Sequence, residues 1–225
     1  MLYRILRSRL LVLGMLATWF AICASQESAI PPAAQEQIVD SVHPGSIADH
    51  IYTNAYFGFS LEVPEGWKVA SNEALRSLSE RNKQFLAQMP KMKRYATNDE
   101  VDSPLLIMGL RQPTKDGQHT QMLQVCSTDI SAVPGQPSAD GFLKLVAEAY
   151  PGREYADTLQ LITMGGKEFW RLNFTQQSSV LWHGSHLAAI EKQHVLQFVL
   201  LSPDEDGLHK LEAILHTVHF QAQSQ

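Results

Sequence analysis

Apolar and polar residues alternate strictly over positions 57–63 of the chain. The apolar members, at every second position, are Phe57, Phe59, Leu61 and Val63. A period of two is typical of a half-buried strand, because successive side chains point to opposite faces of a sheet. The turn residues of Pro64-Glu65-Gly66 end this strand, and Trp67 opens a short second one.

Three later segments show a helical period instead, with apolar residues recurring every three or four positions. The pattern predicts helices over 71–89 and 138–150 and a final helix that starts at Ser202-Pro203-Asp204 and runs to Val218. Ser71 or Asn72 and Ser138 are suited to N-capping. Pro203 is favoured at the first position of the last helix.

The remaining periodic segments predict an antiparallel sheet. Leu105–Leu110 and His194–Leu201 are apolar on nearly every residue, which indicates strands that are covered on both faces. Gly165-Gly166 separates two further strands as a hairpin turn. Antiparallel strands that need cover on both sides, together with amphipathic helices, predict an α+β fold in which helices sandwich an antiparallel sheet.

The order of these elements resembles a known family. The chain resembles the PsbP/Mog-like superfamily in having an aromatic strand, followed by Pro64-Glu65-Gly66-Trp67 and then by a helix. A strand, Ser202-Pro203, a helix and the terminal Val218-His219-Phe220 follow in the same order, so the resemblance covers Ile51 to Phe220. It implies an α/β/α sandwich and a family that works mainly by docking onto other proteins.

Residues 1–25 are predicted to be an export signal. Three arginines precede the apolar run Leu10–Ala24, which is short for a membrane span. Cleavage is expected after Ala24 or Ser25. A lipidated Cys23 or an uncleaved anchor is the alternative route to a membrane. Residues 26–48 predict a flexible linker rich in Ala, Gln, Ser and Pro, and 49–221 a single domain.

The net charge of the chain disfavours some classes of binding partner. The full chain carries a net charge of −5. Without the three arginines of the signal, 15 basic residues face 23 acidic ones, a net of −8. Such a chain is not expected to bind nucleic acid or anionic lipid by charge. Cys126 would then be the remaining cysteine, either a buried, inert thiol or a reactive one.

One motif could carry chemistry. If Gly184-Ser185 is a two-residue turn, His183 and His186 face each other and could bind zinc. If the segment is one continuous strand, the spacing of three places the two histidines on opposite faces. No third ligand is evident from spacing, no serine-hydrolase elbow is found, and neither a cofactor nor a catalytic residue is predicted.

The sequence therefore predicts an exported, non-enzymatic binding or accessory module of the cell envelope, periplasmic or extracellular, that docks onto an unidentified envelope protein. The irregular segments Lys91–Ser103 and Ser127–Gln136 are the candidate docking loops. Two alternatives remain open. One is a small envelope hydrolase or metal-dependent enzyme whose site forms only in three dimensions. The other is a carrier for an apolar ligand, which would need a cavity between helix and sheet.

Overall fold

The fold is described from a computed structural model, for residues 42–88, 92–93, 105–111, 120–131, 133–135 and 137–221. These residues all belong to one compact unit of the chain, Val39–Gln225. The predicted signal and Cys23 lie outside the described residues. The elements are β1 (Ser46–Ala48), β2 (Ile51–Asn54), β3 (Phe59–Glu62), β4 (Trp67–Val69), α1 (Asn72–Ala87), β5 (Leu105–Arg111), β6 (Met122–Asp129), α2 (Ala139–Ala149), β7 (Glu154–Tyr155), β8 (Gln160–Met164), β9 (Lys167–Gln177), β10 (Leu181–Glu191), β11 (His194–Ser202), α3 (Glu205–Leu215) and β12 (His219–Phe220).

The larger of two sheets has eight antiparallel strands in the order β4-β5-β6-β11-β10-β9-β7, with β8 also paired to β9. Gly165 and Gly166 close the β8–β9 hairpin at φ values of 59° and 82°, the left-handed values that a tight hairpin turn needs. Strand β11, in the middle of the order, is buried along almost its whole length. The prediction of a central strand that is covered on both faces is confirmed there.

The smaller sheet has four antiparallel strands in the order β1-β2-β3-β12. It contains the aromatic strand that the alternating pattern predicted, and the apolar residues of 57–63 are all buried. The strand itself begins later than predicted, at Phe59, because Asn54 Oδ1 accepts the Phe57 N–H (3.0 Å) and holds residues 55–58 in a turn.

Helix α2 packs on one face of the large sheet, called here the α2 side. Its core contains residues of α2, β9, β10 and β11, among them Phe142, Leu143, Val146, Leu172, Ala188 and Val195. On the opposite face, called the α3 side, α3 and the small sheet pack together over β9, β10 and β11. The predicted α+β class is confirmed, and the separate small sheet is an addition to it.

Residues 42–48, which the sequence assigns to the flexible linker 26–48, pack on the domain in the structure. Val42 is buried in the α3-side core and Ser46–Ala48 form β1. The buried Tyr52 hydroxyl holds this segment: it accepts the Gly45 N–H (3.1 Å) and donates to the Leu106 carbonyl (3.2 Å). The part of the predicted linker before Val42 lies outside the described residues.

Two further boundaries differ from the sequence-based expectation. The last helix begins after Pro203, since the N-cap is Asp204, whose carboxylate accepts the Gly207 N–H (2.6 Å). An Asp at the N-cap satisfies an orphan amide, which Pro cannot do. The predicted strand Tyr155–Met164 is interrupted, with β7 and β8 pairing to different parts of β9. In the other helices, Ser138 caps α2 as predicted.

The two candidate docking loops are described only in part. Ser127–Gln136 is shorter than predicted, because its first three residues continue β6 to Asp129. Of Lys91–Ser103, only Met92 and Lys93 belong to the described residues. Within the described ranges, none of the helices has the length and apolar character that crossing a membrane requires.

Candidate functional site

His183 and His186 lie on one continuous strand, β10, which pairs with β9 on one side and β11 on the other. His186 shares its face with Ala188 in the α2-side core, whereas His183 shares the face of Leu187 in the α3-side core. His183 Nδ1 lies 3.8 Å from Glu205 Oε1, at the start of α3. The sheet therefore separates the two imidazoles, and they cannot ligate one ion together. In the described part of the chain, no group of three or more His, Cys, Asp or Glu side chains is placed to hold a metal ion.

His186 belongs to a polar row on the α2 side, made of the buried Cys126, Gln197 and His186 and the half-buried Arg153. The Gln197 amide lies between His186 Nδ1 (2.9 Å) and Cys126 Sγ (3.4 Å). Arg153 Nη1 lies 2.8 Å from His186 Nε2. These contacts link β6, β11, β10 and the segment before β7, so the row crosses most of the sheet.

The charge of Arg153 fixes the state of His186. A guanidinium only donates hydrogen bonds, so His186 Nε2 must be the acceptor and Nδ1 must carry the proton. The structure places the Gln197 NH₂ group at Nδ1 and has the Cys126 thiol donate to Gln197 Oε1. Turning this amide over by 180° gives the Nδ1 proton an acceptor and leaves the NH₂ group for Cys126. Burial and, secondarily, the nearby Arg153 charge lower the pKa of His186 to about 3. The imidazole is therefore neutral near neutral pH, with both nitrogens engaged.

Arg153 is held by aromatic faces as well as by hydrogen bonds. Its guanidinium carbon lies 4.6 Å from the Tyr150 ring centroid and 4.3 Å from that of Phe174. Arg153 Nε also donates to Gln176 Oε1 (3.0 Å). The Phe174 ring sits directly over Gly184, where an added Cβ would lie 2.2 Å from a ring carbon. Gly184 is therefore the residue of the histidine motif that makes room for this arrangement.

Cys126 is a buried thiol. Burial raises its pKa to about 12, so the thiolate that a nucleophile or metal ligand needs is not formed near neutral pH. Its neighbour in the row is an amide and not a base. We conclude that the polar groups of the row bond to other groups of the protein, as in a structural hydrogen-bond network.

A cavity of about 160 Å³ lies on the α3 side, between the end of α3 and the outer strands of the large sheet. It is lined by residues of β8, β9, β10, β11 and α3, with Leu187, Leu200 and Leu215 as its apolar part. Arg171 and Glu212, which form an ion pair, also line it. Both charged side chains are only partly exposed, at 20% and 24%.

The third feature is an exposed apolar patch on the α2 side, made of Leu161, Trp170 and Ile190 and called here the end patch. Leu161 is 50% exposed and lies directly opposite the half-buried Trp170. Trp170 is paired in turn with Ala188, and Ile190, 39% exposed, follows two residues later on the same face. Thr163 and Glu168, a facing pair, are the next exposed residues on that side.

Other exposed large apolar residues of the described chain do not form such a group. Ile47 and Ile51 belong to the β1–β2 hairpin, where the register places them in different pairs. Leu181, 43% exposed, lies at the start of β10 on the opposite face from Ile190. The end patch is thus distinguished by contiguity and not by the exposure of any one residue.

The histidine motif is visible in the sequence, but the contacts that define these three features are not. Arg153 lies 33 residues from His186, and Arg171 lies 41 residues from Glu212. No local spacing signals pairs so far apart. The end patch had a weak signal, since Leu161 and Ile190 occupy alternating apolar positions of predicted strands, but their exposure depends on where α2 stops covering the sheet.

Among known proteins, the chain has similarity to solved structures. No protein-family model matches the chain, and no curated protein matches it. Among solved structures, the chain is similar to the cyanobacterial PsbP protein, CyanoP, from Synechocystis sp. PCC 6803, at 14% identity and a TM-score of 0.45, over 79% of this chain and 98% of that one. It is also similar to LpqN, a protein involved in cell envelope biogenesis of Mycobacterium tuberculosis, at 12% identity and a TM-score of 0.43, over 80% and 86% of the two chains. Both likenesses concern the fold and carry nothing about function.

Proposed function

We propose that the chain is an exported, non-enzymatic binding module of the cell envelope that docks onto another protein through the end patch. The observation that carries the proposal is the contiguous exposure of Leu161, Trp170 and Ile190 on the sheet face against which α2 packs. Burying such a surface against a partner is favourable at about 25 cal/mol per Å² of apolar area. An aromatic residue flanked by aliphatic ones is also a common centre of a protein interface.

The residues of the end patch indicate what kind of surface the partner should have. The three apolar residues call for an apolar surface on the partner, and the exposed Glu168 at the margin favours a basic group opposite it. Strand β8 itself carries no charged residue that would oppose an approaching protein. The expected partner is therefore a protein with an apolar contact surface bordered by Lys or Arg.

Enzymatic function receives less support from the geometry. His186, the histidine whose pKa is lowered to about 3, is buried and has both ring nitrogens engaged. Cys126 is buried and protonated. A general base or a nucleophile has to reach its substrate, and neither group is free to do so.

A site-specific cross-linking experiment tests the docking proposal. A photoreactive amino acid at Thr163, beside the patch, is expected to capture one partner in the native envelope, and the double variant Leu161→Ser, Ile190→Ser to abolish that capture. Leu181→Ser is the matched control, because Leu181 is equally exposed but lies outside the patch, and it should leave capture unchanged. Equal capture by the double variant, or turnover of a substrate in a hydrolase panel, overturns the proposal.

Export is tested separately by the intact mass of the protein recovered from the producing cells. Removal of residues 1–24 or 1–25 is expected, with the product in the periplasm or medium. A full-length mass in the membrane fraction contradicts a cleaved signal. A mass that includes a diacylglyceryl group on Cys23 would assign the chain to the lipoproteins instead.

A further inference from the structure

The cavity beside α3 is built from parts that are distant in the sequence. Its wall runs from Leu200 on the central strand β11, through Leu187 and Arg171, to residues 162–165 at the edge of the sheet, and α3 closes the other side. An apolar cavity of about 150 Å³ is large enough to hold a benzene-sized molecule. The space of about 160 Å³ here therefore suits one small group and not an extended ligand.

The inner wall of the cavity is apolar. Leu187, Leu200 and Leu215 are at most 6% exposed, and Met164 is 5% exposed. A hydrocarbon group placed against these side chains gains from leaving water. The titratable residues of the cavity lining are Arg171, Glu212 and His216, of which His216 is exposed.

The charged side of the cavity is rigid. Arg171 Nη2 bonds to Glu212 Oε1, and Arg171 Nε donates to Asn173 Oδ1 (2.7 Å). The same Asn173 oxygen accepts from the fully buried Ser185 hydroxyl (2.9 Å). The guanidinium is thus fixed at two of its three nitrogens, which reduces the entropy lost when a ligand binds.

The ion pair leaves one further hydrogen-bonding atom on each side chain. Within the described part of the chain, Arg171 Nη1 and Glu212 Oε2 take part in none of these bonds. One is a donor and the other an acceptor, and the charges of the pair cancel. A carboxylate in the cavity would face Glu212 and an ammonium would face Arg171, so charge complementarity favours a neutral occupant.

We propose that this cavity binds a primary amide on a short apolar stem. The amide oxygen accepts from Arg171 Nη1, the amide NH₂ donates to Glu212 Oε2, and the stem packs against the leucines. Two sources offer this chemistry, a free small amide and a glutamine side chain presented by another protein. The site lies on the opposite face of the sheet from the end patch, so the proposal stands independently of the docking proposal.

Pentanamide is the probe for the free amide, followed by ¹⁵N NMR of the purified protein. Shifts are expected at the backbone amides of Thr163 and Gly165 and at Arg171 Nε–H. Pentanoate and pentylamine, matched in size but charged, should bind about tenfold more weakly, the effect of one mismatched hydrogen bond to a charged group. A short peptide with one Gln between apolar residues provides the second arm. Binding of the peptide without pentanamide assigns the amide to a partner protein, and the reverse assigns it to a free ligand.

A pair of double variants separates recognition of the amide from general apolar binding. Arg171→Met with Glu212→Met keeps the apolar stems and removes the head-group partners, so the preference for pentanamide over the charged probes should disappear. Lys167→Met with Glu191→Met removes another ion pair of the same region (2.5 Å) that does not line the cavity, and it should leave the preference unchanged. The proposal is overturned if neither amide probe shifts these resonances, if pentanoate binds as tightly, or if the preference survives in the Arg171/Glu212 variant.

Discussion

The two faces of the large sheet are made by the same strands but are covered in different ways. On the α3 side, the small sheet and α3 together cover the strands, and four phenylalanines meet there. Phe198 of β11 lies 5.7 Å from both Phe59 and Phe169 between ring centroids. Phe220 of β12 completes the group at 5.7 Å from Phe59 and 6.1 Å from Phe169. This aromatic group joins the two sheets.

On the α2 side, α2 packs over β9 and β10. Under this cover, β11 alternates Val195 and Val199 with the amide of Gln197, and β10 contributes His186. Beyond it, Leu161 and Ile190 remain exposed. Both faces therefore contain polar contacts: Arg171–Glu212 and Ser185–Asn173 on the α3 side, and the polar row on the α2 side. The faces differ at their margins: aromatic rings join the two sheets on the α3 side, whereas the α2 side ends in the exposed Leu161 and Ile190.

The largest expected effect tests the α3 side. Phe198→Ala should lower the free energy of unfolding by about 3–5 kcal/mol, because the fully buried ring contacts both sheets and its loss leaves a cavity. Urea unfolding measures the change. Leu181→Ala, at an exposed position, should stay within about 0.5 kcal/mol. A loss below about 2 kcal/mol for Phe198→Ala would mean that the aromatic group is not what joins the sheets.

The next effect tests the packing of the polar row. Gly184→Ala should cost about 1–3 kcal/mol, since the new Cβ would overlap the Phe174 ring that also stacks on Arg153. Gly152→Ala is the control, because a Cβ there meets no atom within 4 Å. The two variants can be compared by thermal unfolding in the same buffer. Similar melting temperatures would contradict the close Phe174–Gly184 packing.

The third effect concerns pH and the neutral state of His186. Its pKa is about 3 in the folded protein, against 6.5 for an unperturbed imidazole. Between these values the unfolded chain binds one more proton, so stability is fully present above pH 6.5 and falls as the pH drops toward 3. This group alone should contribute about 1.4 kcal/mol of loss per pH unit within that window.

Urea unfolding of the wild type and of His186→Gln at about pH 7, 6, 5 and 4 measures this contribution. The variant keeps a polar side chain but cannot titrate, so its stability should fall less steeply with acid. Parallel curves for the two proteins would show that His186 is not buried as a neutral base. All other titrating groups are shared and cancel in the difference.

The smallest effect tests the open end of the α2 side. Leu161→Ser and Ile190→Ser should each change the free energy of unfolding by no more than about 0.5 kcal/mol, because both side chains are already exposed in the free protein. A loss above about 1 kcal/mol in either variant would show that the end patch belongs to the core and is not free for a partner.

Much of the fold followed from the sequence alone. The alternation over 57–63, the nearly continuous apolar run of β11 and the Ser138 cap of α2 are local signals, and each is confirmed. They are readable because the side-chain period of a strand or a helix is set by backbone geometry within a few residues. The α+β class follows from counting such elements.

The candidate sites could not be obtained in the same way. The histidine motif allowed two geometries, and only the pairing of β10 with both neighbours decided between them. The position of Arg153 beside His186, the meeting of Arg171 with Glu212 and the exposure of Leu161 depend on register, on sheet order and on where α2 ends. The sequence by itself determined which segments are strands and helices and which of their residues are apolar and favour burial. The tertiary structure decided which polar groups meet and which apolar residues stay uncovered, because those outcomes depend on contacts between segments that carry no local signal of one another.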